Sequence, residues 1–232
     1  MTHHRPASLS SGGLAWVALA VASAAMPAWA QDRFAALAMR IERNVTDQDH
    51  EVVIEVKSGD VGLSQLKLMA PDGRTLLDLK AVDSRLGLRT LTLESPEPKD
   101  LAKLLADYPA GRYAFSGTTV AGQALAGTVL LDHQLPEPAR WRFPAADAPA
   151  VALRGLVLRW DVGKGSHGQT LSVEDEKTGQ KVVQAALPAT ARQWPVPDGA
   201  LRPGTVYKLA LGAIGQGGNA SYVETTFTTR RP

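Results

Sequence analysis

The sequence contains no cysteine. No disulfide can close a loop, so the fold rests on its buried core, and thiolate chemistry and cysteine metal ligation are excluded. Aromatic residues make up only 6% of the chain, which argues against the aromatic girdles of an outer-membrane barrel. Charge of one sign is also missing, since 25 Lys and Arg stand against 23 Asp and Glu. A nucleic-acid surface needs clustered cations to displace counterions, and no nucleic-acid partner is expected from this balance. The longest apolar run, Leu14 to Ala25, is well short of the roughly 20 residues that span a bilayer.

That run has a different explanation. Arg5 precedes it, Pro27 breaks it, and Ala28-Trp29-Ala30 puts small residues at the positions a signal peptidase reads. The pattern predicts a secretory signal peptide over residues 1–30, cleaved after Ala30. No twin-arginine pair is present and no cysteine follows the site, so the general export route without a lipid anchor is expected. The mature chain from Gln31 loses only Arg5 among the fixed charges and is close to neutral. It should be periplasmic or extracellular, with no transmembrane segment, and it is long enough for two small domains.

Along the mature chain, short runs of period-2 alternation are separated by turn residues. Leu37, Met39 and Ile41 alternate with Ala38, Arg40 and Glu42; Val52, Ile54 and Val56 alternate with Glu51, Glu55 and Lys57. Pro71-Asp72-Gly73-Arg74 between Leu66-Lys67-Leu68 and Leu77-Asp78-Leu79 predicts a hairpin, because proline presets φ and glycine accepts positive φ. One helix is expected over 97–107, with Pro98 in its first turn and Leu101, Leu104 and Leu105 as its buried stripe. Residues 134–150 carry four prolines, at 136, 138, 144 and 149. They predict a connector between an N-terminal β-sandwich domain (31–134) and a second domain (135–232). The second domain repeats short strands with frequent turns, the signature of a sandwich.

The residues of that second domain resemble a fibronectin type III module. "LVLRWDV" at 156–162 is similar to the strand whose tryptophan fills the core, "LRPGTVYKLALGAI" at 201–214 to the stretch carrying a tyrosine corner, and "ETTFTT" at 224–229 to the last strand. The resemblance makes Trp160 the core tryptophan and Tyr207 the corner tyrosine. In the first domain, "YPAGRYAFSG" at 108–117 looks like the corner and strand of an immunoglobulin-like module. The expected fold is therefore all-β, two immunoglobulin-like sandwiches with one short helix in the first.

No reaction is specified. His50, His133 and His167 stand too far apart in sequence to read as a zinc site. Asp47, Asp49 and Glu51 lack the glycine and the distal glutamate of a calcium loop and read as a solvated turn. Glu174-Asp175-Glu176 reads as a solvated edge. No nucleophile elbow or phosphate-binding glycine loop is present, so catalytic residues, metals and cofactors are all expected to be none. In a type III sandwich the loops 163–168 and 215–219 share one end. That gathers Lys164, Ser166, His167, Gln216 and Asn219 as a candidate binding site, with neighbouring glycines that admit a close partner. The expected function is a non-catalytic envelope interaction protein whose partner is a protein or glycan. The alternative is a hydrolase whose carboxylates, from separate strands, meet between the domains.

Overall fold

The computed structural model describes residues 32–83 and 85–231, so the expected signal peptide lies outside the described residues. The first half carries β1 (Asp32–Arg33), β2 (Ala36–Asn44), β3 (Asp49–Lys57), β4 (Leu63–Met69), β5 (Thr75–Lys80), β6 (Thr90–Glu94), α1 (Leu101–Asp107), β7 (Gly111–Thr119) and β8 (Ala124–Leu131). The second half carries β9 (Arg140–Phe143), β10 (Ala148–Val151), β11 (Val157–Asp161), β12 (Gly168–Asp175), β13 (Gln180–Pro188), β14 (Gln193–Pro195), β15 (Val206–Ile214) and β16 (Ala220–Thr229). Among the described residues, no helix is long and apolar enough to cross a membrane.

Alternation does what its period requires: one side of each strand turns inward. Leu66, Leu68, Tyr113 and Phe115 meet Met39, Ile41, Val52 and Val56 in a first core, roofed by Leu104 of α1. Leu158 and Trp160 meet Leu171, Val173, Tyr207, Leu209, Leu211 and Phe227 in a second. The hairpin of β4 and β5 turns at Gly73, φ +86°, with the Asp72 carboxylate accepting from the Arg74 N–H at 3.0 Å. The helix begins at Leu101 rather than at 97. Asp100 is its N-cap, its carboxylate accepting from the Ala102 N–H at 2.9 Å, so Pro98 leads into the helix instead of entering it.

Both sandwiches carry a tyrosine corner. The Tyr207 hydroxyl accepts from the Arg202 N–H at 2.9 Å, and the Tyr113 hydroxyl donates to the Pro109 carbonyl at 2.9 Å. Trp160 fills the second core, with Trp141 edge-on at 5.9 Å. Its indole N–H donates to Gln169 Oε1 at 2.7 Å. The Gln169 amide in turn donates to the carbonyls of Pro188, Ala189 and Ala191. A buried glutamine thus satisfies the one polar atom of the core tryptophan and ties down the loop after β13.

The sheets do not stop at the boundary between the cores. One runs β1-β8-β7-β4-β5 and another β14-β11-β9. The third runs β13-β12-β15-β16-β2-β3-β6, with β10 also on β16, and belongs to both halves. Its seam is a parallel pairing of Ala220, Ser221 and Tyr222 with Glu42, Arg43 and Asn44, extended by the Val45 N–H donating to the Tyr222 carbonyl at 2.9 Å. Residues 31–232 accordingly form one compact unit.

Asn219 fastens the seam. Its Oδ1 accepts from the Ile41 N–H at 2.8 Å, and its Nδ2 donates to the Asp132 carbonyl, Asp132 Oδ1 and the Gln134 carbonyl at 3.0, 2.8 and 3.1 Å. Beside it, Ser221 donates to the Pro136 carbonyl at 2.7 Å, and Arg43 donates to the same carbonyl and to the Ser221 hydroxyl. Burial holds the Arg43 guanidinium below its usual pKa. Replacing Asn219 with alanine strands buried donors and acceptors on both halves. The expected cost is roughly 2–4 kcal/mol. The wild type is expected to unfold in urea in one transition and the variant in two, followed by far-ultraviolet circular dichroism, which reports both sandwiches, beside tryptophan fluorescence, which reports only the second. Tyr207→Phe should cost about 1 kcal/mol without splitting the transition.

Candidate functional site

The loops 163–168 and 215–219 do lie at one end of the second sandwich, and it is the end through which the chain enters from the first. The close partner admitted by their glycines is the connector. A Cβ on Gly163 would run into the Glu137 carbonyl, one on Gly217 into the Asp132 carboxylate, and one on Gly215 would sit 3.3 Å from the Pro136 ring. Glu137 donates its N–H to the Lys164 carbonyl at 2.9 Å, closing the loop onto the connector.

Of the five candidate residues, Lys164, His167 and Gln216 have exposed side chains. Ser166 is half-buried and donates to the Gly168 carbonyl at 2.8 Å. Asn219 is 1% exposed and every polar atom of its amide is engaged in the seam, so it faces the protein and not a ligand. The Lys164 ammonium lies 3.9 Å from the Glu137 carboxylate, with both side chains exposed. Such a contact contributes little.

A concavity lies on the outer face of the shared sheet, astride the seam. It consists of two contiguous depressions of about 460 and 420 Å³ that share Ser172, Lys181, Ala210 and Tyr222. Toward β13 the walls are uncharged at Thr170, Gln184, Ala185 and Ala186, with Lys181 as the one cation where the two depressions join. Toward the first sandwich they are acidic: Glu42, Asp47, Asp49, Glu51, Glu97, Glu174 and Glu224.

The register explains the crowding. Glu42 and Glu51 are direct cross-strand partners on β2 and β3, an arrangement that costs stability because like charges face each other at close range. Arg40 compensates Glu42 at 2.6 Å and Glu55 at 2.8 Å. Lys208 stands 3.7 Å from Glu224. Burial first, then the negative charges of Glu42, Glu94, Glu97 and Asp49, push the Glu51 carboxyl up to about 7. Burial likewise raises Glu224, with Lys208 opposing and Asp47 assisting. The Tyr222 phenol is raised by burial and by Glu42.

Two expectations change here. Asp47 does sit in a turn, with the Asn44 amide donating to it at 2.8 Å, but Asp49 and Glu51 belong to β3 and line the groove. Glu174-Asp175-Glu176 is no edge, since β12 lies between β13 and β15. Glu174 faces the groove, while Asp175 is buried and caps the following turn by accepting from the Lys177 and Thr178 N–H groups, both at 3.1 Å.

The histidines stay apart: His50 Nδ1 lies 3.3 Å from the Pro98 carbonyl, and His133 Nε2 donates to the Tyr108 carbonyl at 2.9 Å. Among the described residues, no group of three or more His, Asp or Glu is placed to hold a metal ion.

No protein-family profile and no curated protein matches the sequence. Solved structures are similar in fold. The fibronectin(III)-like modules of Clostridium thermocellum CbhA match at 10% identity, covering 85% of this chain and 92% of theirs, with a TM-score of 0.35. A two-domain fibronectin type III segment of chicken tenascin matches at 10% identity, covering 85% of this chain and 100% of its own, with a TM-score of 0.32. The BSP domain of a biofilm-associated protein matches at 15% identity over 84% of this chain and 29% of its own, with a TM-score of 0.27. At these identities the likeness is one of strand architecture alone.

The raised Glu51 has a thermodynamic signature. Its folded pKa of about 7 exceeds the ordinary 4.5, so the folded state binds the extra proton between those values. Stability is therefore full below about pH 4.5 and falls as pH rises toward 7. Glu51→Gln should stabilise the protein by roughly 1–2 kcal/mol at pH 8, discounted for the partial exposure of the site, and by little at pH 4.5. Urea midpoints at the two pH values measure the difference; an equal gain at both would remove the titration from the explanation.

Proposed function

We propose that this chain is an exported, non-catalytic interaction module of the cell envelope. The two sandwiches act as one rigid body and take a cationic segment of a protein or glycan partner in the acidic groove astride the seam. The observation that carries this reading is the direct opposition of Glu42 and Glu51 inside that groove. A sheet built only for stability gains nothing from facing two glutamates across a strand pair. A positively charged partner turns that cost into attraction. The neutral balance of the whole chain makes the local negative field a property of the groove rather than of the protein. Lys164, His167 and Gln216, with Ser166 beside them, form a second contact surface within this proposal, while Asn219 serves the seam.

One observation favours a second reading, a hydrolase. Carboxylates from separate strands share the groove, and Glu51 keeps its proton to about pH 7, as a general acid must. Release of reducing ends from purified cell-wall glycan, abolished by Glu51→Gln, would replace the binding reading with this one.

Calorimetric titration at pH 8, above the raised Glu51 value of about 7, with oligolysine and with oligoglutamate tests the primary reading. Oligolysine is expected to bind with an affinity that falls as salt rises, and Glu51→Gln with Glu224→Gln should weaken it about tenfold. Indifference to the sign of the peptide, or to both substitutions, overturns the proposal.

A further inference from the structure

The described sheets end in several edges, and all but one are protected. β1 is a two-residue strand and carries Asp32 and Arg33; β5 carries Asp78 and Lys80; β6 is five residues long and ends in Glu94. β9 carries Arg140 and Arg142, and β10 and β14 are four and three residues long and each contains a proline. Short length, charge and proline are the devices by which proteins keep an unpaired strand from recruiting another.

β13 lacks them over most of its length. It is nine residues long, pairs only with β12, and its stretch Val182-Val183-Gln184-Ala185-Ala186-Leu187-Pro188 contains no charge. Its register with β12 is unbroken from Val183 to Pro188. The one irregularity is a bulge on β13 itself, where Val182 is skipped between the pairs Val173–Val183 and Glu174–Lys181, so the bulge and Lys181 guard only the first residues of the strand. Alternate backbone N–H and C=O groups of the regular stretch therefore point away from the sheet with no strand to receive them.

We propose that β13 pairs antiparallel with β13 of a second copy of this chain, joining the two shared sheets into one across a two-fold axis near Ala185. The strand is complementary to itself in that arrangement. Ala185 faces its own symmetry mate, Val183 faces Leu187 and Gln184 faces Ala186, each contact occurring twice. Val183, Ala185 and Leu187 are the half-buried and buried positions, so the pairing also shields the apolar rim of the second core. Lys181 falls opposite Ala189, past the strand end, so no like charges meet. The neutral part of the outer groove, with Gln184 and Ala186 on its wall, continues across the axis into its counterpart. A single strand pair buries little area, and the association is a concentration-dependent equilibrium rather than a permanent dimer.

Sedimentation velocity of the purified protein over a concentration series reads the proposal directly. The expected result is a shift from one copy to two as concentration rises. Gln184 and Ala186 are exposed, so lysine or glutamate at both positions leaves the core intact, which circular dichroism verifies. Gln184→Lys with Ala186→Lys, and separately Gln184→Glu with Ala186→Glu, set like charges face to face and should each weaken association at least about tenfold. Mixing the two variants pairs lysine with glutamate and should restore a two-copy species. A wild type that remains monomeric up to about 1 mM, charged variants that associate as well as the wild type, or a mixture that fails to recover would each overturn the proposal.

Discussion

Everything distinctive in this molecule depends on a short parallel contact between β2 and β16. Among the described residues, three pairs join the first long strand to the last. So brief a pairing would not hold two domains by itself, because backbone hydrogen bonds exchanged with water return only about 1 kcal/mol each. Asn219 makes the difference: one side chain satisfies a backbone N–H of the first sandwich and the carbonyls of Asp132 and Gln134, where the chain leaves β8 for the connector. The seam is thereby coupled to the covalent link, and neither can shift without exposing unpaired polar groups of the other.

Once the seam is fixed, the surface follows. Tandem sandwiches joined by a flexible linker present independent faces. Here the outer faces of two sheets are continuous, and side chains from β12, β15, β16, β2 and β3 line one groove. Its electrostatics arise from register rather than from any local cluster in the sequence. Glu51 owes its raised pKa to burial and to Glu42 across the strand pair, with Glu94 and Glu97 contributing from further along the chain.

Much of the fold was legible because its determinants are local. Alternation at Leu156, Leu158 and Trp160, and the Pro-Gly corner before Tyr207, bury the residues they were expected to bury. The helix was visible from its leucines, although Asp100 and not Pro98 sets its start. The groove was not legible, since Glu42, Glu51, Glu174 and Glu224 are ordinary solvent-facing residues until the β2–β16 pairing is known. The glycines of 163–168 and 215–217 did signal close approach, but sequence carries no information on whether the approaching backbone belongs to a partner or to the connector. Asn219 shows the same ambiguity, for an asparagine after glycines reads as a turn residue until its hydrogen bonds are traced.

The seam also orders events in time. Its contacts span 178 residues, as the bond from Ile41 to Asn219 shows. Closing so long a loop is entropically slow and brings no return until both ends are present. A chain emerging amino end first can assemble the first sandwich, yet the outer side of β2 has no mate until the last strand arrives. Until then its unpaired backbone at Ile41 to Val45 is open to solvent and to chaperones. β16 thus acts as a latch, and the first sandwich, though synthesised early, has its sheet closed only when that strand docks.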